Sequence, residues 1–241
     1  MAIGRLKDDF DEGMAPYYLM GATPVALVIG AVAPAPLFPF ILALAVYPVF
    51  FHFIRQGRLG MALLWTVMWG ALNFALVAAA VAQDIPAVRS RAAGMAMIAP
   101  AQTPPAEEPA RELVVQAAMA RGGDFLAVVA LSGVSGGALA LAAGAVGLNH
   151  IAVVSGHAVA MGGGLDAAIL AFPPWMVFRA MGLLMVVIGV TYLFVLKLEG
   201  REMDWGRSLR WVGVGAFFLV MDTYFYINLG AVWSRFFVEA M

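Results

Sequence analysis

The sequence contains no cysteine. That excludes disulfides, iron–sulfur clusters and thiolate metal sites, and it leaves the redox compartment unmarked. Formal charge is also scarce: 12% of the 241 residues are Asp, Glu, Lys or Arg, against about a quarter in an ordinary soluble domain. The 14 basic and 15 acidic residues nearly cancel, so there is no basic footprint for nucleic acid. Histidine occurs only as His52, His150 and His157. The apolar runs hold no HExxH, no DxxD and no clustered acid pair, and no segment has the composition of a soluble catalytic domain.

What the chain has instead is long apolar sequence. Hydrophobic residues make up 63%, and stretches such as 125–165 carry no formal charge. A bilayer core about 30 Å thick needs roughly 20 such residues per helical crossing. The pattern predicts an all-α, polytopic transmembrane helical bundle forming a single integral membrane domain over 1–241. Arg5 and Lys7 before an apolar segment faintly resemble a cleavable signal, but four acids (Asp8, Asp9, Asp11, Glu12) and Pro34 argue for an uncleaved first helix behind a polar, interfacial leader at 1–16.

Residues 17–54 contain five prolines and are too long for one ordinary span. "APAP" at 33–36 is the natural break, because proline removes a donor and disfavours helix in the residue before it. Helices at about 17–33 and 37–54 follow, then 61–82, 124–147, 151–172, 175–197 and 211–231. That makes seven spans, or six if 17–54 crosses once. Turns are expected at "RQGRLG" (55–60), "GLNH" (147–150), "PP" (173–174) and "KLEGREMDWGRSLR" (197–210). Residues 83–123 read as an extracytoplasmic linker: an extended "APAQTPPAEEP" followed by a short amphipathic surface helix, "ARELVVQAAMARGG", capped at Gly122. Basic short loops mark the cytoplasmic side. A bacterial-type inner membrane with 83–123 outside satisfies the seven-span count. Trp175, Trp205, Trp211 and Trp233 fall near span ends, where amphipathic rings prefer to sit.

Asp222, in "FFLVMDTYFYIN", is the costliest residue in the chain, at about +3 kcal/mol on insertion scales for a mid-span aspartate. It must face protein or water and have a partner. Arg179 and His157 are the candidates, and Tyr224 is one of several residues able to extend a polar face. Arg179 and Asp166, thirteen residues apart, are otherwise expected at an interface. His150 and His157 lie on nearly one helix face but ~10 Å apart along it, too far for one metal. His52 and His150, each beside a turn at the same boundary, are a better pair for a b-type haem. Otherwise no cofactor is expected.

Gly133-Val-Ser135-Gly136 resembles the GxSG of the rhomboid intramembrane proteases, in which the serine pairs with a histidine on a later helix. His157 would take that part here. Only 22 residues separate it from Ser135, leaving no room for that family's intervening span, so no catalytic residue is assigned. The glycines read better as packing positions. Gly133 and Gly137, Gly136 and Gly144, and Gly156 and Gly164 are small residues at helical spacing, which lets membrane helices approach closely. These features favour a non-catalytic integral subunit or scaffold of a larger, bioenergetic membrane assembly, meeting lipid and other integral subunits. A small-solute or proton-coupled transporter using Asp222 is the alternative. A haem-binding electron-transfer subunit is a further one.

Overall fold

The structure, a computed structural model, describes residues 13–96 and 110–240. The described residues form helices joined by short turns, without strands: α1 (Ala15–Val32), α2 (Phe38–Arg55), α3 (Leu59–Ala82), α4 (Pro86–Ala96), α5 (Ala110–Ser135), α6 (Ala138–Ala158), α7 (Gly164–Leu170), α8 (Pro174–Leu198) and α9 (Trp205–Ala240). Seven of these are long and apolar enough to cross a membrane, with crossing segments Ala15–Val32, Ala35–Arg55, Leu59–Ala82, Val114–Ser135, Ala138–Gly162, Pro174–Leu198 and Trp205–Gly230. The chain is a polytopic helical membrane protein. A helix satisfies its own backbone donors and acceptors, which hydrocarbon cannot do.

The first two spans separate where the prolines require it. Ala33 is extended, at φ −74° and ψ 162°, and a single 3₁₀ turn (Ala35–Leu37) leads into α2. The turn closes tightly because Gly30 has no side chain: an added Cβ would sit 2.8 Å from the Phe38 ring. The α2–α3 connection ends in Gly57 at φ +72°, with Arg58 N–H donating back to Phe53 O at 2.8 Å. Both short turns of basic sequence lie at one end of the bundle. There Arg55 and Arg201 hold Glu199 at 2.8 and 3.1 Å, and Arg207 donates to Gly57 O. Burial raises the Glu199 carboxyl, but hydrogen bonds from Arg55 and Arg201 outweigh it and leave the group below its ordinary value. This end is called the basic end below, and the opposite one the far end.

The second half departs from the expected boundaries. The helix that starts at Ala110 does not stop at Gly122; it runs to Ser135 and is itself the fourth span. Hence "ARELVVQAAMARGG" is not a separate surface helix, and the expected "APAQTPPAEEP" segment lies outside the described residues. The next turn is at Gly136 and Gly137, with φ of +60° and +88°, not at "GLNH". Two successive left-handed residues reverse the chain at little cost only if they are glycine. They are also packed: added Cβ atoms would strike Phe194 and Thr191 at 2.8 and 2.7 Å. His150 therefore lies inside α6 and not in a turn. At the far end α6 widens into one loose turn (Val159–Gly163) with Gly162 at φ +90°, then α7 leads to Pro174.

The core is built by α2, α3, α6 and α8. Phe38, Leu42, Val46, Val49, Phe50 and Phe53 of α2 are fully buried, as are Ala145, Ala152, Val186 and Ile188. Between membrane helices the hydrophobic effect contributes little, so close approach matters most. In α8 and α9 the backbones touch: an added Cβ on Gly182 would lie 2.8 Å from Gly215 O, and one on Gly215 2.6 Å from Gly182 O. Ser208 Oγ donates to Gly189 O at 2.8 Å along the same seam. Gly156 brings α6 against α3, where a Cβ would fall 2.5 Å from Ala78 O. Gly133 is only in ordinary contact with Val190. Gly144 and Gly164 have nothing within 4 Å, so they pack against no other described helix of this chain.

Candidate functional site

Asp222 is completely buried. It lies 17 residues into α9, ~26 Å from the basic end at 1.5 Å per residue. Two guanidiniums reach the same carboxylate oxygen. Arg179 Nε of α8 donates to Oδ2 at 3.2 Å, and Arg121 Nε of α5 donates to it at 2.5 Å. The side chains of Arg121 and Arg179 are only 11% and 10% exposed. Arg179 is thus a bundle-interior residue and not an interfacial one. Three helices are pinned at one point, and charges that would be prohibitive alone in hydrocarbon compensate each other.

Local sequence explains the placement. On α5, Ala117, Arg121, Asp124, Val128 and Ser132 recur every three or four residues, the spacing of one helical face. Ala117, Val128 and Ser132 are buried, so that face turns inward and carries Arg121 with it. Asp124, half-buried, lies within electrostatic reach of Arg179, Arg121 and Asp222. On α8 and α9, four residues beyond the ion pairs toward the far end, sit Trp175 and Tyr226. Their rings meet edge to face with centroids 6.0 Å apart, and Trp175 also meets Trp233 at 6.4 Å. The Arg121 guanidinium lies 5.1 Å over the Tyr226 ring, a favourable contact for a desolvated cation. Trp233 Nε1 donates to Leu170 O at 2.8 Å, tying this aromatic cap to α7. Trp175, expected near a membrane surface, is therefore buried in the cap.

Three polar atoms of the cluster are buried without a hydrogen-bond partner among the described residues: Asp222 Oδ1, Arg121 Nη2 and Arg179 Nη2. In a guanidinium, Nε and Nη2 share the edge that grips a carboxylate with two parallel bonds. Here each fork is half used.

The other expected positions do not join this cluster. Tyr224 is 58% exposed. His157 is half-buried near the far end of α6 and is not among the groups bonded to Asp222. Asp166 is exposed. His52 and His150 are not brought together. Gly137 packs on Phe50, level with the His52 end of α2, whereas His150 is thirteen residues farther along α6, ~20 Å away. His52 Nε2 lies 2.9 Å from Gln56 Nε2. Ser135 Oγ donates to Leu131 O at 2.6 Å at the basic end of α5, beside the start of α6 and so ~30 Å along α6 from His157. Among the described residues no three His, Asp or Glu are grouped to hold a metal ion.

One further buried contact was not anticipated. Asn73 Nδ2 of α3 donates to Asn149 Oδ1 of α6 at 2.9 Å, with both residues essentially inaccessible. Its sequence signal is a lone asparagine in each of two apolar runs. Arg121 had a signal too, the three-and-four spacing continuing through Gly122 and Gly123 into the apolar run. No family model, no curated protein and no solved structure matches the chain.

Proposed function

We propose that the protein is a non-catalytic integral subunit or scaffold of a larger membrane assembly, set in a bacterial-type inner membrane with the basic end in the cytoplasm. The observation that carries this reading is the outer surface of α5. Within its span, Gly122, Gly123, Ala127, Ala130 and Gly133 are all exposed. Leu126 and Val134 stand exposed among them, and α3 exposes a second small row, Ala71, Ala75 and Ala79, whereas α1 and α9 expose large residues such as Val28, Val32, Leu209, Phe217 and Val220. Small residues give lipid little to grip and let a partner helix approach closely. The ion cluster serves this role by fixing α5 against α8 and α9, so that its small-residue face is presented rigidly.

The absence of cysteine makes the test direct. Gly123→Cys, Ala127→Cys and Val220→Cys, each carrying a thiol-coupled photo-crosslinker in native membranes, are compared. Discrete adducts of one mass are expected from the two α5 positions and none from Val220. Monomer at all three positions refutes the reading.

A second reading, small-solute transport, draws on the half-used forks around Asp222, which are polar groups positioned for a guest. It requires that Arg179→Lys and Asp222→Asn abolish uptake into proteoliposomes while leaving the protein folded. Uptake unchanged in both variants removes it.

A further inference from the structure

We infer that Asp124, midway along the fourth span, is the polar contact through which α5 docks a membrane-spanning helix of another subunit, and that this helix meets it with an uncharged hydrogen-bond donor. The inference rests on the scaffold reading and deepens it by stating the chemistry of the partner.

Asp124 stands near the centre of the crossing segment Val114–Ser135, ~16 Å from either end at 1.5 Å per residue. It is only half-buried, so part of its surface faces hydrocarbon. An intramembrane carboxylate faces the bundle interior or a water-filled cavity as a rule, and pairs with another group. Arg121 and Arg179 act on Asp124 through their charge alone. Their hydrogen bonds go to Asp222, and none is made to Asp124 among the described residues.

The outward neighbours of Asp124 leave it within reach. Residues three and four apart are neighbours on a helix surface. Ala120 and Ala127, four before and three after, are both exposed, and Gly123 and Ala130 continue the row. A helix from another subunit can therefore approach closely enough to meet the carboxyl. The α3 row of Ala71, Ala75 and Ala79 is equally small and exposed, but the span Leu59–Ala82 holds no charged residue. Nothing there calls for a polar partner. The carboxylate, and not the small residues, singles out α5.

Charge decides the kind of donor. Arg121 and Arg179 carry two formal positive charges, Asp222 and Asp124 two negative ones, so the group is neutral as it stands. A lysine or arginine from the partner would add an uncompensated cation inside the membrane, which is costly. A hydroxyl, a side-chain amide or an indole N–H can donate to the carboxylate without altering the charge. The partner helix thus carries Ser, Thr, Asn, Gln, Tyr or Trp at the depth of Asp124. A second copy docked by the same face, about a twofold axis normal to the membrane, would set one Asp124 level with the other and oppose two carboxylates.

The test uses the full chain in native membranes, with a thiol-coupled photo-crosslinker on Ala130→Cys, alone and combined with Asp124→Asn or Asp124→Leu. Both changes remove the same negative charge and so disturb the ion cluster alike, but only asparagine keeps an acceptor oxygen. Adduct yield is expected to be about three- to twentyfold lower in Asp124→Leu than in Asp124→Asn, the span of one hydrogen bond between membrane helices. A second measurement needs no change at Asp124. Sequencing the partner peptide cross-linked to Ala127→Cys should find one of the uncharged donors within a turn of the attachment point, and no lysine or arginine there. Equal yields in the two Asp124 variants, a lysine or arginine within that turn, or an adduct joining α5 to α5 of a second copy overturns the inference while the scaffold reading stands. No adduct with Asp124 intact overturns both.

Discussion

Replacing Asp222 by alanine should destabilise the folded bundle while easing insertion of its last helix. Asp222 is fully buried and accepts from Arg121 and Arg179, whose side chains remain nearly as buried once it is gone. Removing one partner of a buried ion pair costs about 3–5 kcal/mol, because the remaining charge stays desolvated and uncompensated. Two cations are stranded here, so the upper part of that range is expected. Insertion of the isolated span moves the other way, gaining ~3 kcal/mol on translocon scales when a mid-helix aspartate is lost. The two effects are separable. Unfolding in mixed micelles titrated with sodium dodecyl sulfate reports packing, and a glycosylation-tagged insertion assay of the span Trp205–Gly230 reports insertion. Asp222→Ala should lower the unfolding midpoint sharply and raise insertion efficiency. Asp222→Asn, which keeps an acceptor oxygen, should fall between alanine and the parent. Replacing Arg121, Arg179 and Asp222 together by leucine should restore most of the loss, since a well-packed apolar substitute is often neutral or better. An unfolding midpoint unchanged in Asp222→Ala, or a triple variant as unstable as the single one, refutes the reasoning.

Gly156→Ala should cost about 1–3 kcal/mol by overpacking, because the new methyl meets Ala78 O at 2.5 Å and Val81 at 2.7 Å. Gly144→Ala, facing open space, should be neutral or gain up to about 1 kcal/mol from helix propensity; the same unfolding titration compares them. A double-mutant cycle of Asn73→Leu and Asn149→Leu should return a coupling of roughly 0.6–1.7 kcal/mol, the range found for hydrogen bonds between membrane helices, and additive single effects would deny the Asn73–Asn149 bond. Glu199, held below the ordinary glutamate value, lends stability that is complete above that ordinary value and disappears as pH falls through the lowered one. Its exposed ion pairs are worth about 0.2–1 kcal/mol, so Glu199→Gln should remove a small, salt-sensitive acid dependence in melts between neutral and acid pH.

Span number and class were legible because they rest on hydropathy and on prolines, both local properties. The α1–α2 break falls at 33–36 because Pro34 and Pro36 act on their own neighbours. The α5–α6 break was misplaced because a left-handed Gly136–Gly137 turn is invisible to any average of apolarity. "GLNH" looked more polar, yet Asn149 Oδ1 accepts from Asn73, 76 residues away, inside the bundle. Arg121 was assigned to a surface for the same kind of reason. A charge reads as solvent-seeking unless its compensating partner is known, and here the partner lies 101 positions farther on. Asp222 stood out because no reading of its own segment made it cheap. Arg179 emerged as its partner because few cations lie within the apolar runs. His52 and His150 were paired on the strength of a turn that proved to be helix.

The separation of Arg121 from Asp222 also sets an order of events during synthesis. At about 5–20 residues per second, some 5–20 s pass between the two entering the chain. Throughout that interval α5 and then α8 hold arginines whose acceptor does not yet exist. A chain broken off before Asp222 therefore lacks the carboxylate that both guanidiniums contact, and keeps only Asp124 within their electrostatic reach.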